Sequence, residues 1–512
     1  MSTEGGSDLR SARIVAAGLL LSKPTGYLRD ALLAARFGTG RSMDAFTVAS
    51  AVAMAAFDII GTPLQRVLVP VLVRARDRRG ARGLAATAGA ILSAATVAAC
   101  CLGVLLLLGA SPIATVLTGG GPLQHPTAVL VRWLSLLPAG LALSAYATAW
   151  LQAGEHFALP AFVGLPYDLA IIAFVLVGRH HGVLAAAWGL VVGAFLQYAL
   201  QWPGLRHFGH RVRVPAPAAA LTDPGLRSTL GMVVPLLVSV ASIQAVNLLQ
   251  QALAARLPVG SAAALAYALR VLDLPSALFI LPVVTVILPQ LARRFVGGAR
   301  ADAAAVLAET AWALSAGLLP CALLTGLLGG PLAAALYQHG AFGATSTAAM
   351  ALGLLGFAPG VLTTGMQQLM RVYFYAQQDA RTPMLWDVVA LVCTAVLDLL
   401  TYHHWHQFGL ALGYSVGAGV GWLGLSLRAR SDQSTPLPWS RLFPLLVAAA
   451  ALVLVTLALR GHIPAFLGHA PWRRGLTTVA VAGFAGAALY TLVAQVAGGG
   501  VMLRRLIGSA AR

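Results

Sequence analysis

Apolar runs of about 18 to 25 residues recur from one end of the chain to the other, separated by short loops. A run of that length crosses the hydrocarbon core of a bilayer as an α-helix, whereas a membrane β-barrel would show alternating segments of about ten residues. Only 10% of the 512 residues are charged and 59% are hydrophobic. Soluble domains carry roughly 25% charged residues, so this chain has too few to cover a water-facing surface. The pattern predicts an all-α polytopic membrane protein with about 14 transmembrane helices. The first run is too long and too charged for a cleaved signal peptide and is expected to be retained.

The net charge of +18 does not point to nucleic acid, because the arginines cluster in alternate loops. Arg74, Arg76, Arg78, Arg79 and Arg82 form one group, and Arg206, Arg211, Arg213 and Arg227 another. The loops around 111–125 and 331–343 have none. This is the positive-inside pattern. It predicts a plasma-membrane protein with both termini in the cytoplasm. The four cysteines, Cys100, Cys101, Cys321 and Cys393, sit in apolar runs without metal-ligand spacing and are expected to be small buried hydrophobes. His180, His181, His403, His404 and His406 lack metalloenzyme spacing, and no Walker motif occurs. No enzyme and no resident cofactor are expected.

Three pairs of segments repeat in order. ALLAARFGTGRSMDAF from Ala31 resembles ALAARLPVGSAAALAY from Ala252, placing Arg36 and Arg256 about 220 residues apart. RVLVPVL, ending at Leu72, resembles VTVILPQL, ending at Leu291, and LQAGEHFALP (151–160) resembles YAQQDARTP (375–383). An offset of six helices keeps orientation, so the halves are parallel, a plan used by transporters with a cavity between the halves. The expected divisions are an N-terminal six-helix half (1–203), a proline-containing cytoplasmic linker (204–228), a C-terminal six-helix half (229–430), and two appended helices with a tail (431–512).

The first run, IVAAGLLLSKPTGYLRDALLAARF (14–37), contains Lys23, the only lysine in the chain, together with Arg29 and Asp30. A cation in a bilayer costs at least ~2.5–3.5 kcal/mol, so such groups face protein or a water-filled cavity. Pro24 and Gly26 between them favour a bend, which frees backbone groups that need partners. Lys23 and Arg29 are therefore expected to line a cavity suited to an anionic cargo. Arg270 and Asp273 lie three apart on one helix face, either as a local ion pair or as a second cationic wall. Arg66, Arg132, Asp168 and Asp387 are expected to snorkel to the interface. Thr394 and Asp398 lie one turn apart in an apolar helix, and Asn247 is an isolated amide. A protonated or hydrogen-bonded aspartate, an aspartate paired with an arginine, or a ligand to a cation such as Na⁺ would each account for them.

SKPTGYLRDALLAARFGTGRSMDAF (22–46), YALRVLDLP (267–275), VILPQLARRF (286–295), LYQHGAF (336–342) and FYAQQDARTP (374–383) together resemble the signatures of the MurJ/MviN lipid II flippases. The resemblance implies a multidrug/oligosaccharidyl-lipid/polysaccharide (MOP) exporter fold. It also implies movement of lipid II, undecaprenyl-diphosphate carrying a disaccharide-pentapeptide, to the outer leaflet. Carried over position by position, it implies substrate-binding roles for Ser22, Lys23, Arg29, Asp30, Asp44, Arg270 and Asp273. It places Asn247, Thr394 and Asp398 at a candidate Na⁺ site, with Na⁺ as the coupling ion. The implied partners are lipid II or a related polyprenyl-linked glycan, membrane lipids and cell-wall synthesis or division proteins, with no nucleic acid. Three positions depart from the family: Lys23 replaces an arginine, Ala56 and Phe57 lie where an arginine pair is expected, and Leu269 replaces an acid. The alternatives are an exporter of another polyprenyl-linked glycan, a cation-coupled MOP antiporter, a polyprenyl-dependent glycosyltransferase and a non-transporting scaffold of the cell-wall machinery. The short, acid-poor external loops weigh against the glycosyltransferase.

Overall fold

Proline and glycine punctuate the apolar runs, and the helices bend or end there. The computed structural model describes residues 23–207, 215–216, 224–432, 439–462 and 470–497. Most of the expected linker (208–214 and 217–223) and Ser22 lie outside these residues. Among the described residues every regular element is helical. Ten helices are long and apolar enough to cross a membrane, making this a multi-pass membrane protein.

The helices form two compact units, Met1–Val259 and Gly260–Arg512. The first contains α1 (23–37), α2 (Arg41–Thr118), α3 (Gln124–Leu134), α4 (Leu137–Ala153), α5 (Ala158–Ala161), α6 (Gly164–Val177), α7 (Val183–His207) and α8 (Pro224–Ala255). α2 is two spans joined at Gly80, whose φ of 63° is open to glycine without strain. The core joins Leu64, Leu68 and Leu72 of the first limb to Ile91 and Leu92 of the second, and to Tyr146 and Trp150 of α4. α8 packs along α2, so the compact first unit extends one helix beyond the expected linker.

The second unit contains α9 (Ser261–Pro275), α10 (Leu281–Val296), α11 (Arg300–Leu327), α12 (Gly329–Tyr337), α13 (Ala344–Ala376), α14 (Arg381–Asp432), α15 (Trp439–His462), α16 (Pro471–Thr478) and α17 (Phe484–Ala497). α9 runs into α10 through a π-turn at Ser276–Ile280, directly after Pro275. The missing proline donor accounts for the widened turn. The appended helices α15 and α17 pack on α11 through Leu445, Ala448, Leu452 and Tyr490.

α14 doubles back at His406 (φ 47°, ψ −132°). Its second limb carries a glycine at nearly every turn. A Cβ at Gly409 would meet the Thr401 hydroxyl, one at Gly413 the Asp398 carboxylate, one at Gly417 the Thr394 hydroxyl and one at Gly424 the Trp386 indole. As one register climbs the other falls, so the limbs are antiparallel and packed backbone to side chain. Lipid tails are as apolar as leucine, so close packing of small residues replaces hydrophobic burial as the source of helix association in a bilayer.

Arginines close several helix ends. Arg256, just past α8, donates to the Val116 carbonyl in the last turn of α2 at 3.0 Å, and Arg460 in α15 donates to Leu327 at the end of α11 at 2.8 Å. Arg36, the repeat counterpart of Arg256, donates to the Arg179 carbonyl at 3.4 Å. Cations complement the carbonyl-rich C-termini of helices.

Candidate functional site

Arg29 sits on α1 and is enclosed by two carboxylates. Its Nη2 and Nε meet Asp30 Oδ1 at 2.7 and 2.8 Å, and its Nη1 meets Asp168 Oδ1 on α6 at 2.7 Å. The three side chains are 14%, 10% and 9% exposed. Thr25, one turn before Arg29, donates to the other Asp168 oxygen at 3.4 Å. Gly26 lies beside the same carboxylate, and a Cβ there would sit 3.4 Å from that oxygen. The cluster therefore holds one positive and two negative groups in a largely water-excluded place. Asp168 was expected at the interface. It is instead buried against Arg29, because the pairing compensates a charge that α1 carries into the membrane.

Lys23, at the described start of α1, is exposed. Asp44 is buried in the first turn of α2, where the helix dipole favours an anion. A second polar chain in this unit joins α8 to α2. Asn247 donates to Gln244 at 3.4 Å, and Gln244 donates to Asp58 at 3.0 Å.

In the second unit Arg270 and Asp273 approach to 3.8 Å, with more than half of each side chain exposed. That contact is long for a charge-assisted hydrogen bond. Asp387, also expected at the interface, pairs instead with Arg371 at 2.8 Å and accepts from Gln367 at 3.1 Å. Asp168 lies eight residues after the third repeated segment of its half and Asp387 four residues after its counterpart, so the repeat does not align the two acids. Asp398 is fully buried and Thr394 nearly so. Thr394 donates to the Ala390 carbonyl at 3.0 Å, one turn back. The structure thus groups Arg29 with Asp30, and Arg270 with Asp273. It places Asn247 in the first unit and Thr394 and Asp398 in the second. No group of three or more histidine, cysteine, aspartate or glutamate side chains able to hold a metal ion occurs among the described residues.

The family described as lipid II flippase MurJ matches residues 33–477. The lipid II flippase MurJ of Burkholderia cenocepacia is 29% identical over 462 residues, covering 87% of this chain and 88% of that protein. A probable lipid II flippase MurJ of Vibrio cholerae is 27% identical over 432 residues, covering 80% of each. Among solved structures, a lipid II flippase MurJ in an inward closed conformation superposes with a TM-score of 0.81 at 17% identity, covering 96% of this chain and 99% of the other. An inward-facing multidrug resistance MATE transporter of the MOP superfamily gives a TM-score of 0.69 at 13% identity, covering 81% and 96%. The likeness bears out the MOP-type fold.

Proposed function

The chain belongs to the MurJ family of lipid II flippases, and on that premise we propose that it moves lipid II from the cytoplasmic to the outer leaflet by alternating access. It is a transporter rather than an enzyme. The family match across 33–477 carries the reading. Cationic side chains placed in membrane helices of each unit support it, because a diphosphate headgroup needs charge-assisted donors where water is scarce.

In this reading Arg29 and Arg270 bind diphosphate oxygens through their planar donor forks, and Lys23 contributes a compact point charge. Asp30, Asp44 and Asp273 hold the cations in place, and Ser22 belongs to the same first-half set. The arginine-rich loops support a plasma-membrane location with cytoplasmic termini. Thr394 and Asp398 are oxygen-bearing side chains one turn apart and both buried, a donor pair that suits a small cation such as Na⁺. Asp398 would supply the charge and Thr394 a neutral ligand.

Complementation of flippase-depleted cells tests the proposal. Lys23→Ala is expected to fail to restore growth while reaching the membrane at normal levels, and Arg29→Ala is expected to fail as well. Full growth with both variants would refute the diphosphate role.

A further inference from the structure

Arg29 is the cation on which diphosphate binding relies most, yet three of its five N–H groups are already engaged. Asp30 uses Nε and Nη2, and Asp168 uses Nη1. Both carboxylates stand against the one guanidinium, so an incoming anion meets negative groups on the side that each occupies. A diphosphate oxygen that takes Nη1 as its donor must share it with Asp168 or displace Asp168 from it.

The two carboxylates differ in how they can leave. Asp30 is the chain neighbour of Arg29 and moves with it. Asp168 stands on α6, 139 residues away in sequence, and any small shift of α1 along α6 separates it from Nη1. Asp168 also has a second partner on α1, the Thr25 hydroxyl at 3.4 Å from its other oxygen. We propose that Asp168 is a positioning residue that competes with the cargo diphosphate for Arg29, holding the guanidinium in place and yielding Nη1 when the headgroup enters. The inference rests on the diphosphate role proposed for Arg29.

The sign of one effect separates this role from a purely structural one. If Asp168 only shapes the site, neutralising it misplaces Arg29 and weakens anion binding. If it competes, neutralising it strengthens binding. The experiment is calorimetric titration of the full-length protein in nanodiscs with inorganic pyrophosphate, using the wild type, Arg29→Ala, Asp168→Asn and Asp168→Glu. Asp168→Asn is expected to bind about tenfold tighter, which corresponds to about 1.4 kcal/mol, and Asp168→Glu to return close to the wild-type affinity. Transport by Asp168→Asn should then saturate at lower cargo concentration and turn over more slowly, because release is retarded.

Unchanged or weaker binding in Asp168→Asn, with binding still lost in Arg29→Ala, would overturn the counter-ion role alone. Pyrophosphate binding that is absent in the wild type, or indifferent to Arg29→Ala, would overturn the reading of Arg29 itself. Should Asp168→Asn fail to fold, infrared difference spectra of wild-type protein carrying ¹³C-labelled aspartate decide the matter. Pyrophosphate should shift a carboxylate band in the wild type and not in Arg29→Ala, and the lack of any shift would overturn the proposal.

Discussion

In the first unit Arg29 meets two carboxylates at 2.7 Å and is almost enclosed, whereas in the second Arg270 and Asp273 approach only to 3.8 Å with more than half of each side chain exposed. The residue types are the same, and burial separates them. An enclosed ion cluster cannot lose one member without stranding the others in a poor solvent. An exposed pair is screened and weak. The first unit therefore uses its arginine for architecture as well as for chemistry, and the second presents an arginine whose removal should scarcely disturb the fold.

The sharpest way to break this contrast is Arg29→Ala. It leaves Asp30 and Asp168 without their shared cation, and breaking a buried pair costs roughly 3–5 kcal/mol. Thermal unfolding in detergent should show a large loss that Arg270→Ala does not reproduce. Equal losses for the two variants would end the distinction. Gly413→Leu probes the other way in which a carboxylate is buried, by backbone packing. Its side chain would run into Asp398, and overpacking typically costs about 1–3 kcal/mol. Gly330→Leu, where nothing lies within 4 Å of an added Cβ, is the matched control and should be close to neutral.

A smaller effect is expected at Asp379, which precedes α14. One of its carboxylate oxygens accepts from the Arg381 and Thr382 amides at 2.9 and 3.1 Å, capping the helix. Losing such a cap costs about 1 kcal/mol. The Thr382 side chain, then the two amides, hold this carboxyl below its ordinary value. A depressed folded value means that the cap contributes fully above a pH of about 4 and is lost as pH falls through the lowered value. Amide exchange at Arg381 and Thr382 should accelerate in acid in the wild type, and be fast at every pH in Asp379→Ala. Asp273→Asn should matter least, changing stability by no more than about 0.5 kcal/mol. A larger shift in the unfolding midpoint would show that the second unit depends on its exposed pair after all.

The helical class, the spans and the two appended helices were legible because runs of spanning length and alternating arginines are local properties. Arg29 and Asp30 stood out for the same reason, as charges inside an apolar run. Asp168 and Asp387 were not legible. Each is a single acid near the start of a helix, where snorkelling is the default, and their partners lie on other helices. Asn247 was grouped with Thr394 and Asp398, but its bond is to Gln244 in the first unit. The glycines of α14 were visible as letters, but their use depends on the reversal at His406, a non-glycine residue at positive φ that no turn signature announces.

That reversal also bears on how the protein is made. Translation delivers the first limb of α14 before the second, so Asp398 emerges ahead of the glycines that later enclose it. Asp387 and Asp398 make the first limb a poor candidate for entering lipid by itself. The two limbs are thus expected to leave the insertion machinery together as one preassembled hairpin, with His406 at its tip.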